Sequence, residues 1–94
     1  MINWKKIKKK IPHQIRIKNK TYYEILWVDD FKDGKTLGES RFDSKQIVLL
    51  KSMPPKTTIE TFIHEFLHVL SHEYNCDLTE NQVLALEKST PYLL

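Results

Sequence analysis

His64, Glu65 and His68 stand in the order His-Glu-x-x-His inside Thr61-Phe62-Ile63-His64-Glu65-Phe66-Leu67-His68-Val69-Leu70, a stretch whose apolar spacing predicts a helix. Residues four apart on a helix share a face about 5–6 Å apart, so both imidazoles can turn a ring nitrogen to one zinc ion at about 2.0–2.1 Å. Glu65, one position on from His64, sits about 100° further round the helix. It is therefore beside such an ion and not a ligand of it, where its carboxylate can take a proton from a metal-bound water. Phe66 and Leu67 make the setting apolar, and two imidazoles there need partners. A metal would supply them; ordinary hydrogen bonds between two core histidines are the plain alternative.

Other groups offer less. His72 continues the four-residue row, but three collinear ligands on one straight helix cannot close a tetrahedron, so it is expected at the surface or supporting the site. His13 lies in a lysine-rich head. Cys76, the one cysteine, is expected to be packed just past a helix end and not to bind metal. The third ligand must come from the C-terminal helix, which holds two candidates. A tight antiparallel helix pair, at about 1.5 Å rise per residue, brings Glu87 level with the histidines; a near-perpendicular crossing brings Glu80 there instead.

The elements that would position these groups follow from the pattern along the chain. Ile15 and Ile17 alternate with Arg16 and Lys18, and Thr21 to Val28 is β-branched and aromatic, which predicts a hairpin turning at Asn19-Lys20. Asp29 to Lys35, with Asp33-Gly34, has loop chemistry without the regular oxygen alternation of a calcium loop. Leu37 to Phe42 and Gln46 to Leu50 predict two more strands, the second interior and the first, polar and holding Gly38, at the edge. Thr57-x-x-Glu60 after Pro54-Pro55 has the form of a capping box opening the histidine helix, which should run to Tyr74 and stop at a left-handed Asn75. That helix is apolar over most of its circumference and is expected to be the most buried element. Thr79-x-x-Gln82 opens a second helix that packs back through Val83, Leu84 and Leu86 and ends at Pro91. The predicted fold is α+β, a three- or four-stranded sheet covered by the histidine helix and closed by the C-terminal one.

Composition narrows the classes. Ninety-four residues make a single domain, 1–94, and a net charge of +3 is too mild to dictate a polyanionic partner. No apolar run reaches the roughly 18 residues of a membrane span, and no secretory leader is recognisable. One cysteine suits a reducing compartment, so a cytoplasmic monomer is expected. The basic charge is concentrated: Lys5, Lys6, Lys8, Lys9, Lys10, Arg16, Lys18 and Lys20 all fall in the first twenty residues. Residues 1–14 form a basic arm, either for nucleic acid or simply solvated. Trp4, Ile7 and Ile11 also allow a short amphipathic turn lying on the body before Pro12.

Lys18 to Tyr23, Leu37-Gly38-Glu39, Gln46-Ile47-Val48-Leu49, Glu60-Thr61-x-x-His64-Glu65-x-x-His68 and Leu78-Thr79-Glu80-x-Gln82-Val83-x-x-Leu86 occur in an order that resembles small phage and prophage zincin-like metallopeptidases. These are minimal gluzincins, distantly similar to the ImmA/IrrE type, and the resemblance runs from about Ile15 to Leu86. It implies a small sheet on two helices, zinc held by His64, His68 and a glutamate, peptide or protein substrates, and, for a phage-encoded chain, the host cytoplasm. Similar sequences have a glutamate at the place of Glu80, near the start of its helix, which selects Glu80 over Glu87 as third ligand. The expected activity is zinc-dependent peptide hydrolysis with Glu65 as general base, the substrate lying along the Leu37–Phe42 edge. A zinc-stabilised binding module or regulator that cuts nothing, contacting nucleic acid through the basic head, is the competing expectation.

Overall fold

Ile47, Val48 and Leu49 are fully buried, and the sheet is arranged around the strand that carries them. The computed structural model describes residues 2–18 and 20–89. In chain order its elements are α1 (Trp4–Lys8), β1 (Gln14–Lys18), β2 (Thr21–Val28), β3 (Gly38–Arg41), β4 (Gln46–Leu50), α2 (Pro55–Tyr74) and α3 (Glu80–Ser89). The fold is α+β, with one four-stranded mixed sheet in the order β1-β2-β4-β3. β1 and β2 form the expected antiparallel hairpin, with a register shift between Arg16 and Lys18. β4 runs parallel to β2, Ile25 facing Ile47 and Trp27 facing Leu49, and antiparallel to β3. A parallel pair cannot be joined by a tight turn. The chain therefore leaves β2 through residues 29–37, builds β3 at the edge, and returns into the gap as β4.

That connection is fixed by its own polar groups. The Asp33 carboxylate accepts from the backbone N–H of Lys35 and of Thr36, both at 2.9 Å, and from the Thr36 hydroxyl. The Thr36 hydroxyl does most to lower its pKa to about 2, while Gly34 takes the left-handed φ of +66°. Asp29 and Asp30 are exposed, as a solvated loop requires. Gly38, at the start of β3, is there for proximity. A Cβ on it would fall 2.7 Å from Thr61 Cγ2 on α2, so only glycine lets edge strand and helix come this close.

Three expectations need correction. α2 begins at Pro55, with Pro54 as N-cap and no side-chain cap bond, so the Thr57–Glu60 capping box does not form. Proline suits the first helical position because its φ is preset and no N–H is wasted there. Thr58 instead turns inward, its hydroxyl donating to Pro54 O at 3.0 Å. The most buried element is β4 and not α2, because β4 is flanked by strands while α2 keeps Phe62, Phe66 and Leu67 half-buried. Among the described side chains of α3 only Val83 is buried; Leu84 and Leu86 are exposed. The other helix ends follow the sequence. Asn75 is left-handed at φ 53°, and Thr79 and Gln82 form a reciprocal capping box, Thr79 N–H to Gln82 Oε1 at 2.8 Å and Gln82 N–H to Thr79 Oγ1 at 3.2 Å. The Asn19 turn residue and the Pro91 stop lie outside the described residues. The head is not a loose arm over residues 4–8: α1 lies against α2, capped by Asn3 Oδ1 on Lys6 N–H.

One partly buried polar cluster ties helix to sheet. The fully buried Tyr23 donates its hydroxyl to Glu73 Oε2 at 2.7 Å, and Lys45 Nζ donates to the same oxygen at 2.7 Å. The hydrogen bond from Lys45, then that from Tyr23, lowers the Glu73 pKa against its burial. A carboxylate with a lowered folded pKa stabilises above its unfolded value of about 4.3 and loses that contribution as pH falls through the folded value. The urea midpoint is expected to drop between pH 7 and pH 3, and Glu73→Gln, which keeps an acceptor for Tyr23 but not the charge, to drop less. Equal acid losses in both proteins would show that Glu73 contributes none of the drop.

Candidate metal centre and its cleft

Two residues of strand β3 span about the same length as four residues of helix α2. A strand advances about 6.6 Å in two residues and a helix about 6 Å in four. β3, lying beside α2, therefore brings Gly38 to Thr61 and Ser40 to Glu65. The Ser40 hydroxyl donates to Glu65 Oε1 at 2.8 Å and lies 3.0 Å from Glu65 O. It anchors the carboxylate at the strand side of the helix, one step round from the histidines.

His64 and His68 meet on the next face. Their Nε2 atoms are 3.2 Å apart and their rings cross at 68°. Residues 75–79 return the chain so that the first residue of α3 lies over this pair. Glu80 Oε1 is 3.0 Å from His64 Nε2, and Oε2 is 3.2 Å from His68 Nε2. One donor atom from each of the three residues lies within 4.8 Å of the others. Ligands about 2.0–2.2 Å from a tetrahedral zinc stand roughly 3.3 Å from each other; the 3.0–3.2 Å approaches are close to that, and a single Glu80 oxygen would need to shift inward to complete the set. The donor set is also awkward without one. Two Nε2 atoms facing each other set either N–H against N–H or lone pair against lone pair, unless the two rings take opposite tautomers.

The second candidate acid takes a supporting place. Glu87 Oε2 lies 3.5 Å from His64 Nδ1, the nitrogen turned away from the pair. Its side chain is 14% exposed against 58% for Glu80. Burial raises the Glu87 pKa, with His64 pulling against it. Glu80 is thus the more exposed of the two acids, and Glu87 sits on the Nδ1 side of His64, where it also lines the cleft beside Glu65.

The remaining groups are placed apart. His72 is exposed and stacks on Phe42, centroids 4.1 Å apart, at the far end of the β3–α2 groove. His13 is exposed. Cys76 is exposed too, not packed as expected, because it follows the left-handed Asn75 that turns the chain outward. An open cleft of about 320 Å³ is lined by Thr36, Leu37, Gly38, Thr61, His64, Glu65 and Glu87. A larger recess of about 520 Å³ lies at the 29–36 loop and contains none of the histidines. Ser40 was missed in the sequence, where nothing marks one serine of an edge strand as the partner of Glu65.

No protein-family model, curated protein or solved structure matches the chain.

Proposed function

We propose that the protein is a zinc-dependent peptidase, with His64, His68 and Glu80 as metal ligands and Glu65 as general base. The observation that carries this is the convergence of three ligand-type side chains from two helices at 3.0–3.2 Å, with a fixed carboxylate beside them. Bound zinc would supply Lewis acidity, bringing the pKa of a coordinated water towards about 7 and polarising a carbonyl.

Every other role belongs to the chain. Glu65, held by Ser40, accepts the proton of the attacking water and passes it to the departing amine, a task a carboxylate performs only within about 2.6–3.2 Å of the proton it moves. Glu87 orients His64 through its Nδ1 from within the cleft wall. β3 is the outer strand of the sheet beside the cleft, and a peptide can lie along it as an added strand, held by main-chain pairing. This explains how a shallow cleft can hold a substrate. It also predicts loose sequence preference.

The test is digestion of a mixed peptide library with zinc and with chelator. Cleavage with zinc that stops on chelation is expected. The exposure of Glu80 and the shallowness of the cleft also suit a zinc-stabilised module that binds a partner without cutting it. Chelator-induced unfolding with no cleavage under any condition would favour that second reading.

A further inference from the structure

The basic head acquires a surface on folding that its charge alone does not define. Lys5, Lys8 and Lys9 follow the i, i+3, i+4 spacing that places side chains on one side of a helix. The fold sets that side against Trp27 of β2, Lys51 just after β4, and Pro55 at the start of α2. Together these six residues line an open groove of about 440 Å³ with a mainly apolar floor. It shares no residue with the metal-centre cleft.

The charges of this groove are poorly compensated. Lys8 Nζ donates to Met53 O at 3.2 Å, and Lys51 approaches Asp29 only at 3.9 Å with both side chains well exposed. Among the described residues no carboxylate pairs with Lys5, Lys8 or Lys9. Like charges three and four residues apart destabilise a helix, and a five-residue helix has no stability of its own to offset this. α1 is kept in place by its docking on α2 and by Trp4, over which Lys56 Nζ sits 5.8 Å from the ring centroid.

We propose that this groove binds single-stranded nucleic acid, phosphates meeting Lys5, Lys8, Lys9 and Lys51 while a base stacks on Trp27. The charge calls for a polyanion. The half-buried indole between the lysines selects one with flat aromatic groups free to stack, which a duplex, an acidic peptide and a lipid headgroup do not offer. The surface is separate from the peptidase reading and stands or falls without it.

The test is a titration of the full chain with labelled oligothymidylate at low salt, read by anisotropy and by tryptophan emission. Binding should weaken steeply with salt and quench emission. The double variant Lys5→Glu/Lys9→Glu, both positions exposed, should bind at least about tenfold more weakly and lose roughly 1.4 from the log–log salt slope, at about 0.7 per phosphate contact. Lys32→Glu/Lys35→Glu, two exposed positions in the 29–36 loop, makes the same change in net charge and should change affinity less than about twofold. Trp27→Phe keeps an apolar ring in the floor and should remove most of the quenching while circular dichroism stays unchanged. Absence of binding at low salt overturns the proposal. So does equal weakening by the control, duplex bound as tightly as single strand, or tighter binding to phosphatidylserine vesicles or polyglutamate.

Discussion

Glu65→Gln is expected to lower peptide cleavage by about 10²–10⁴-fold, the usual contribution of a positioned general base, while zinc stays bound. The amide oxygen of Gln can still accept from Ser40, and the substitution leaves both histidines and Glu80 untouched, so the site's geometry survives the loss of basicity. Ser40→Ala should act through the same carboxylate but more mildly, because it frees Glu65 to swing without removing it. Single-turnover cleavage and metal content, measured on the same preparation, separate the roles. Wild-type rates in the Gln variant would rule Glu65 out as the base.

Glu80→Ala should cost more zinc affinity than Glu87→Ala. Each Glu80 oxygen lies beside one histidine Nε2, whereas Glu87 reaches only the far nitrogen of His64. Loss of a ligand removes a bond to the ion; loss of a supporting acceptor typically costs about 10–100-fold. Competition against a chromophoric chelator ranks the two. If Glu87→Ala releases the metal and Glu80→Ala does not, the two acids exchange roles and the helix crossing must be nearer antiparallel in the zinc-bound protein.

The parts of this molecule that could be read from its sequence are those set by local chemistry. Asn75 ends α2 because an amide side chain tolerates left-handed backbone, and Thr79 with Gln82 opens α3 because each caps the other. Strand β4 was recognisable as interior from Ile47 to Leu50. What failed was where two local signals competed: Pro54-Pro55 started α2 before the Thr57 box could. What could not be read was long-range. Ser40 meets Glu65 only because Gly38 lets β3 lie close to α2, and the choice between Glu80 and Glu87 depended on a helix crossing that spacing leaves open. Likewise nothing in Trp27 or Lys51 announced that they would meet the lysines of α1.

The order β1-β2-β4-β3 has a consequence for the lifetime of the site. Among the described residues β3 is bonded along one flank only, to β4, whereas β4 is bonded on both. Backbone amides in such an outer strand exchange with solvent through small openings of low free energy, while those of β4 exchange only when the whole sheet comes apart. Ser40 rides on an outer strand, and Glu65 on a separate element, the helix α2. Each fraying of residues 38–41 therefore releases the carboxylate, however firmly the core is folded. Raising the melting temperature through β2 or β4 would leave that release untouched; a peptide paired to the free flank of β3 would suppress it, so that the strand is ordered most fully when substrate is present.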